Sequence, residues 1–362
     1  MNTLPRILYL YLTPRTSMLK NYELGRESST FLYGLIELRQ LGFQVDFFDT
    51  AYHHFTWLNY VFRPLENLLK FAYNYPRLGF RLQQALILLP KFKKYDIIFC
   101  TQDSAGLPIA LFKKIGLIKN RVIYVTSNVT NAFEKPRCPC TVYFLKQILC
   151  AVDVIICSSK KEQEILQKKL QREIIFIADG IDTKFYKPIK TASYPIDILA
   201  VGKDYYRDYA TLFGAVEKTH WKTVVVCEPE NIAGLKIPAN VSIRYKVSTL
   251  ELRKLYAQAK ILVLPMQPTD KPQGHTVLLS GMAMGKNIIA SDVVGITTSY
   301  NLSHYSLIHL IPAHQSEDLR RILRSELSKP PQLLNNPEVR DSISTMHYAK
   351  KMAQITRDLT PN

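Results

Sequence analysis

Ile196-Asp197-Ile198-Leu199-Ala200-Val201-Gly202 is an apolar run that closes on a glycine. A stretch this short, with little polar alternation, reads as a strand buried on both faces, the pattern of a parallel sheet covered by helices. Outward from it, similar β-branched or aromatic runs recur at 223–227, 241–247, 261–265, 287–291 and 307–311, separated by longer amphipathic segments. The first half of the chain repeats the pattern at 6–12, 44–49, 95–101, 121–127, 153–158 and 174–178. Residues 27–41 place apolar side chains at helical spacing and stop at Gly42, which predicts a helix with a glycine C-terminal cap. Between the halves, Tyr186 to Pro195 carries two prolines and no periodicity, as a linker does. The expected fold is α/β: two tandem Rossmann-like, doubly wound domains facing a cleft, with ligand sites at strand carboxyl ends. The expected division is 1–188, 189–340 and a final helical segment, 341–362, that packs back on the first domain.

Composition narrows the function classes. The chain has 362 residues, 47% hydrophobic and 21% charged, with 14 glycines and 20 prolines, which excludes a collagen-like or disordered chain. Forty-seven Lys and Arg face thirty Asp and Glu, a net charge of +17. Residues 1–190 hold 27 basic and 15 acidic side chains, net +12, and residues 191–362 hold 20 and 15, net +5. An anionic partner is therefore expected mainly at the first half. No run approaches the ~18 apolar residues of a transmembrane helix. The N-terminal Ile7–Leu12 run is followed by no small-residue cleavage site and reads as a first core strand, so the expected compartment is the cytoplasm. Six cysteines are dispersed, and the one tight pair, Cys138 and Cys140, lacks the second pair or histidines of a metal site. No metal is expected.

Four segments carry chemistry. Asp179-Gly180-Ile181-Asp182-Thr183-Lys184-Phe185-Tyr186-Lys187-Pro188 follows a strand and leads into the linker; on its own it reads as a turn and an extended exit. Gly202-Lys203-Asp204-Tyr205-Tyr206-Arg207 follows the first strand of the second half, and reads as either a phosphate-binding or a solvated basic loop. Gln273-Gly274-His275-Thr276 opens a helix-like stretch running through Ser280 to Lys286. Gly274 permits close backbone approach, and the free N–H groups of a helix start attract anions, although an ordinary helix capped by Thr276 has the same sequence. Ile288 to Gly295 forms the strand and loop beyond.

In this order the segments resemble the family-4 glycosyltransferases (glycosyl transferases group 1, GT-B fold), with Asp179 where that family's Asn-Gly-Val-Asp-x-x-x-Phe-x-Pro signature has Asn. The resemblance spans roughly residues 95–300. It implies a retaining transferase that moves a sugar from a nucleotide-sugar donor to a lipid-linked, polysaccharide or other glycan acceptor, with no cofactor beyond the donor itself. Negative charge grows on the departing diphosphate, and donors already aimed at it stabilise that charge. The implied donor site comprises Gly202, Lys203, Arg207, Gln273, Gly274, His275, Thr276 and Ser280, with Arg207 able to grip phosphate by two N–H groups. One departure stands out. The family's glutamate before the Gly/Ala-Met-Ala of the donor helix, which accepts from the ribose, is Ser280 here; the upstream acidic position is also missing, with Gln273 in its neighbourhood and Asp270 the nearest carboxylate. A hydroxyl lacks the charge and second oxygen of a carboxylate, so a catalytically silent, membrane-associated scaffold is the alternative from a different class.

Acceptor-side expectations fall in the first half. Asp103, after the strand at 95–100, is the candidate carboxylate for proton transfer, or else a helix N-cap. Arg26, Glu27 and Ser28 open the predicted first helix, where an acceptor could dock; His275, His53 and His54 are candidate proton relays. Residues 52–95 contain eleven aromatics, seven Lys and Arg and one acidic residue, Glu66. Helices of this kind suit an anionic membrane interface, contacted through Trp57, Phe62, Arg63, Lys70 and Phe71, or else pack on the sheet and show their cations to water. Single-stranded nucleic acid is a third reading for aromatics among cations, but no nucleic-acid module pattern accompanies them. The protein is expected to be peripheral at an inner membrane surface, without a nucleic-acid partner.

Overall fold

The computed structural model describes residues 4–49, 56–73, 80–127, 129–134, 136–269, 271 and 273–360; the side chains of 56–59 are not part of that description. The chain forms two compact units. One comprises residues up to Lys20, Leu32–Ala178 and the chain from Tyr348 on; the other comprises Asn21–Phe31 and Asp179–His347. The sequence boundaries were drawn at 188 and 340. Contacts group 179–188 with the second unit because Ile181 bridges Ser344 through paired backbone hydrogen bonds, Ile181 N to Ile343 O at 2.8 Å and Thr345 N to Ile181 O at 2.9 Å.

In chain order the first stretch contains β1 (Arg6–Tyr11), α1 (Thr16–Glu23), α2 (Leu35–Gln40), β2 (Gln44–Asp49), α3 (Thr56–Ala72), α4 (Leu82–Phe92), β3 (Ile97–Cys100), α5 (Asp103–Lys114), β4 (Arg121–Val125), α6 (Asn131–Glu134), α7 (Pro139–Leu149), β5 (Val154–Cys157), α8 (Lys160–Leu170) and β6 (Ile175–Phe176). Its strands pair in parallel in the order β2-β1-β3-β4-β5-β6. Alternation along β1 feeds two cores. Leu8 and Leu10 join Ile98, Val122 and Leu145 on one face, and Ile7, Tyr9 and Tyr11 join Ile97, Leu35 and Phe43 on the other. The second face also receives Tyr348, Ala349, Met352 and Ala353 of the terminal helix α15 (Thr345–Leu359).

The second stretch contains β7 (Ile196–Val201), α9 (Tyr209–Val216), β8 (Thr223–Val226), β9 (Val241–Arg244), α10 (Thr249–Gln258), β10 (Ala259–Leu264), α11 (His275–Ala283), β11 (Asn287–Ser291), α12 (Val294–Thr297), β12 (Ile308–Ile311), α13 (Ser316–Leu327), α14 (Pro337–Ser342) and then α15. Its parallel order is β12-β11-β10-β7-β8-β9. That is the doubly wound arrangement in which the chain reverses direction across the sheet between β7 and β10, the switch point where such sheets bind ligands. Again each strand serves two cores: Leu262 and Leu264 of β10 face one, Ile261 and Val263 the other.

Two local features depart from the sequence reading. No single helix covers 27–41. Tyr33 and Gly34 both take left-handed backbone conformations, φ 50° and 79°, so a short 3-10 turn at Thr30–Leu32 is separated from α2. Arg26, Glu27 and Ser28 therefore lie in a loop after α1 rather than opening a helix. Secondly, Cys138 and Cys140 are joined by a disulfide, which the dispersed cysteines had not led us to expect. Pro139 sets Cys138 as the extended N-cap of α7 and Cys140 in its first turn, with the Cα atoms 5.5 Å apart. Among the described residues, no helix is long and apolar enough to cross a membrane.

Candidate functional site

A cavity of about 520 Å³ lies in the second unit, where the carboxyl ends of β7, β8 and β9 meet the start of α11. Val201 ends β7 and Gly202 turns the chain. A Cβ at Gly202 would overlap the Arg207 guanidinium, so glycine is what lets that side chain fold back against the strand end. Arg207 is held from both sides: it bridges Met266 through backbone, and its Nε donates to Asp204 Oδ2 at 2.8 Å. The side chain is 3% exposed, and among the described residues its Nη1 has no hydrogen-bond partner. A buried guanidinium with a spare donor in a cavity wall is an anion receptor awaiting its acceptor. Asp208 then caps α9, accepting from Thr211 N at 3.1 Å, and the Tyr209 hydroxyl donates to Gly202 O at 2.6 Å. Lys203 stands exposed at the mouth of the same loop.

The opposite wall is the first turn of α11. Gly274 is its N-cap, with φ 80° in the left-handed region and no side-chain cap, so the helix starts two residues earlier than a Thr276 cap implies. An uncapped start leaves N–H groups and the positive end of the helix dipole facing the cavity. His275 is buried with Nε2 2.6 Å from Gly295 O. A carbonyl only accepts, so Nε2 carries the proton. Nδ1 lies 3.5 Å from Asp179 Oδ2, and the ring meets Tyr300 edge-on at 4.9 Å. Gln273, just before the N-cap, and Thr276 and Ser280 on the helix line the cavity.

Ser280 is the residue that departs from the family pattern, and the phenols of Tyr186 and Tyr256 stand beside its hydroxyl. Burial, with the Glu27 charge second, holds the Tyr186 phenol above its usual range, and burial does the same for Tyr256. Both therefore stay protonated. Glu27 and Ser28 line this cavity too. They arrive with the Asn21–Phe31 segment, which Asp182 fastens to the second unit: its carboxylate accepts from Ser29 N at 2.9 Å and from Lys184 N and Phe185 N at 3.0 Å, and its own N donates to Thr30 Oγ1 at 3.1 Å. The Asp182 of the motif thus has a structural task. Arg26 is exposed and does not line the cavity.

Asp103 sits elsewhere. It is buried in the first unit at the first position of α5, one past the N-cap Gln102, and accepts from Tyr124 Oη at 2.6 Å, Ser127 N at 3.0 Å and Ser127 Oγ at 2.9 Å. These bonds commit its carboxylate to joining β4 to α5, not to proton transfer. His53, His54 and Asp270 lie outside the described residues, as does the Trp57 side chain. On α3, Arg63 is exposed, Phe62 and Lys70 are half-buried, and Phe71 is 61% exposed with the Arg137 guanidinium 4.1 Å above its ring.

Several wall residues escaped the sequence reading: Tyr186, Tyr256, Thr249, Lys246 and Glu228. The two tyrosines look like core at helical or extended spacing, and they also serve as core. Lys246 has a positive φ of 52°, a backbone feature that no residue type announces.

Comparison with known proteins gives the same picture at two levels. Residues 198–324 match the family profile described as Glycosyl transferases group 1. A search of curated proteins finds no sequence that matches the chain. Among solved structures, Anabaena HepE in complex with UDP-glucose aligns with a TM-score of 0.66 and 13% identity, covering 98% of this chain and 100% of that one. Sucrose-phosphate synthase from Thermosynechococcus elongatus aligns with a TM-score of 0.68 and 16% identity, covering 98% and 99%. A glycosyltransferase from Rickettsia africae aligns with a TM-score of 0.66 and 13% identity, covering 100% of both chains. The chain therefore has the two-unit α/β fold of GT-B glycosyltransferases, and over residues 198–324 it matches the group 1 glycosyl transferases.

Proposed function

We propose that the protein is a retaining glycosyltransferase that moves a sugar from a nucleotide-sugar donor to a glycan, polysaccharide or lipid-linked acceptor. The observation that carries the reading is the meeting, in the walls of one cavity, of buried Arg207, whose Nη1 has no hydrogen-bond partner among the described residues, and the uncapped start of α11. In the reaction, the bond between the anomeric carbon and a phosphate oxygen breaks, and its electron pair leaves with the diphosphate. Fixed donors at that spot stabilise the growing charge without reorganising. The similar HepE structures contain UDP-glucose, or UDP with glucose, which is in keeping with a diphosphate in a cavity of this kind. Isothermal titration with UDP and GDP tests the reading. Saturable 1:1 binding of at least one supports it, and binding of neither overturns it. Retention follows the family resemblance, and inversion at the anomeric centre of the product, read from its NMR coupling, would refute that part.

The acceptor and membrane parts of the reading rest on the first unit. Along α3, Tyr60, Val61, Leu65, Leu68 and Phe71 are exposed and fall within one arc of the helix, while Leu69 packs inward. Arg63, Lys70 and Arg137 stand beside that arc. An exposed apolar stripe flanked by cations suits the headgroup boundary of an anionic cytoplasmic leaflet, each cation contributing about 1 kcal/mol before screening. Flotation with anionic vesicles, weakened by salt and by Phe71→Ser with Leu68→Ser, is the expected result. Equal binding to neutral vesicles would contradict it.

A further inference from the structure

The cavity holds four carboxylates, Glu27, Asp179, Asp204 and Glu228, although its proposed ligand is an anion. Three are accounted for. Asp204 orients Arg207, Asp179 faces His275, and Glu228 caps the turn that follows β8. Glu27 is different. Among the described residues no cation lies within ion-pair distance of it; Oε1 accepts from Ser28 N at 3.0 Å and Oε2 from the Thr249 hydroxyl at 2.7 Å. Each carboxylate oxygen keeps a second acceptor site. An anionic, half-buried carboxylate repels a diphosphate, so its place in this wall is useful only where the ligand presents neutral donors.

The position along the cavity says which donors these are. Phosphate recognition gathers at Gly202, Arg207 and the start of α11. Thr249, which fixes Glu27, opens α10, a helix that packs against β7 and β10; Tyr256 of that helix stands beside Ser280 of α11, as does Tyr186, on whose phenol the Glu27 charge acts. Glu27 therefore stands on the α11 side of the cavity, the side on which the resembling family carries its ribose carboxylate. Ser280 offers the nucleoside a neutral hydroxyl where a carboxylate would carry charge and a second oxygen, and the phenols of Tyr186 and Tyr256 stand beside it. We infer that Glu27 binds the ribose hydroxyl pair of the donor nucleotide, so that the loop segment Asn21–Phe31 supplies the carboxylate which α11 lacks at Ser280. This rests on the cavity being a nucleoside diphosphate site.

The test compares UDP and GDP with their 2′-deoxy forms and with inorganic pyrophosphate, by titration calorimetry on the full chain. The wild type is expected to bind the better ribonucleotide about tenfold more tightly than its 2′-deoxy form, one charge-assisted hydrogen bond's worth. Glu27→Gln keeps an acceptor for Thr249 and should lose that preference while leaving pyrophosphate binding unchanged. Glu27→Ala should lose the preference as well; if it unfolds, Glu27→Gln alone decides. If Glu27→Gln weakens ribo, deoxy and pyrophosphate ligands equally, Glu27 merely braces the wall and the inference falls. If the ribonucleotide preference survives Glu27→Gln, it also falls, with the diphosphate site intact. Binding of none of these ligands by the wild type overturns both readings together.

Discussion

Arg207→Ala is the sharpest perturbation of the proposed donor site. The wild-type side chain is 3% exposed, with Nε on Asp204 and Nη1 unpartnered among the described residues, so its phosphate bond would form in a desolvated wall. A hydrogen bond to a charged group at such a place contributes about 1.5–3 kcal/mol, which is a loss of roughly 10- to 150-fold in UDP or GDP affinity. Removing the guanidinium also leaves Asp204 unpaired beside the ligand. Because Asp204 is a quarter exposed, solvent screens it, and its added repulsion is about 1 kcal/mol, or roughly fivefold. Arg207→Ala should therefore sit near the upper end of the range, and adding Asp204→Asn should restore about fivefold. Arg207→Lys should recover little, since one ammonium cannot hold Asp204 and a phosphate oxygen with the planar fork that the site uses. Titration calorimetry at fixed ionic strength reads all four proteins, with circular dichroism to confirm their folds. Arg207→Ala affinity within threefold of wild type would refute the assignment of this side chain to phosphate.

Two more predictions follow from single side chains. Gly202→Ala forces the Arg207 guanidinium aside; it should weaken diphosphate binding at least about tenfold through the lost charged hydrogen bond, yet have little effect when Arg207 is already alanine. Equal losses in both backgrounds would contradict the steric argument. Lys286 is 1% exposed, and burial pushes its ammonium down from 10.5 to about 8; among the described residues its acceptor is Ala257 O at 3.3 Å, and the Tyr194 ring lies 5.1 Å away. Below pH 8 the folded state bears the full cost of burying the charge; between about 8 and 10.5 only the unfolded chain stays protonated, so this group's contribution to stability rises with pH. Lys286→Met should therefore stabilise the protein at pH 7 by up to about 3 kcal/mol, and the gap to wild type in urea melts should narrow by pH 9.5. A gap that does not change with pH would refute the buried-charge explanation.

The strands were legible because parallel strands buried on both faces cannot alternate with polar residues, and each of the twelve predicted runs overlaps an observed strand. Helices were read less well where tertiary ties override spacing. Phe31, Leu32, Leu35 and Leu38 have helical spacing, but Asp182 fixes Ser29 and Thr30, and the chain reverses through left-handed Tyr33 and Gly34. Helix α1 contains no buried residue, so no apolar period announced it. At the site, the glycine loops were visible because their job is local: a turn at a strand end and an uncapped helix start. The wall of Tyr186, Tyr256, Thr249 and Glu27 was not, since it is assembled from residues far apart in sequence whose side chains look like ordinary core or surface. Asp103 illustrates the converse. A carboxylate after a strand looked available for chemistry, and three donors within the first unit take it up.

The net charge of +17 and the proposed donor cavity obey different electrostatics. Lys203, Arg207 and Lys246 line the cavity against four carboxylates, so its formal balance is not positive at all. Attraction of a diphosphate there cannot come from a cationic field. It has to come from directed donors, namely an oriented guanidinium and free helix N–H groups, while the carboxylates hold those donors in place or meet the uncharged part of the ligand. Where cations do outnumber acids, at +12 over residues 1–190, they accompany exposed apolar side chains on α3. That combination works through long-range, salt-sensitive attraction to a surface. On the proposed reading, specificity and localisation are separated, the first resting on pairing inside the second unit and the second on the excess of cations over residues 1–190.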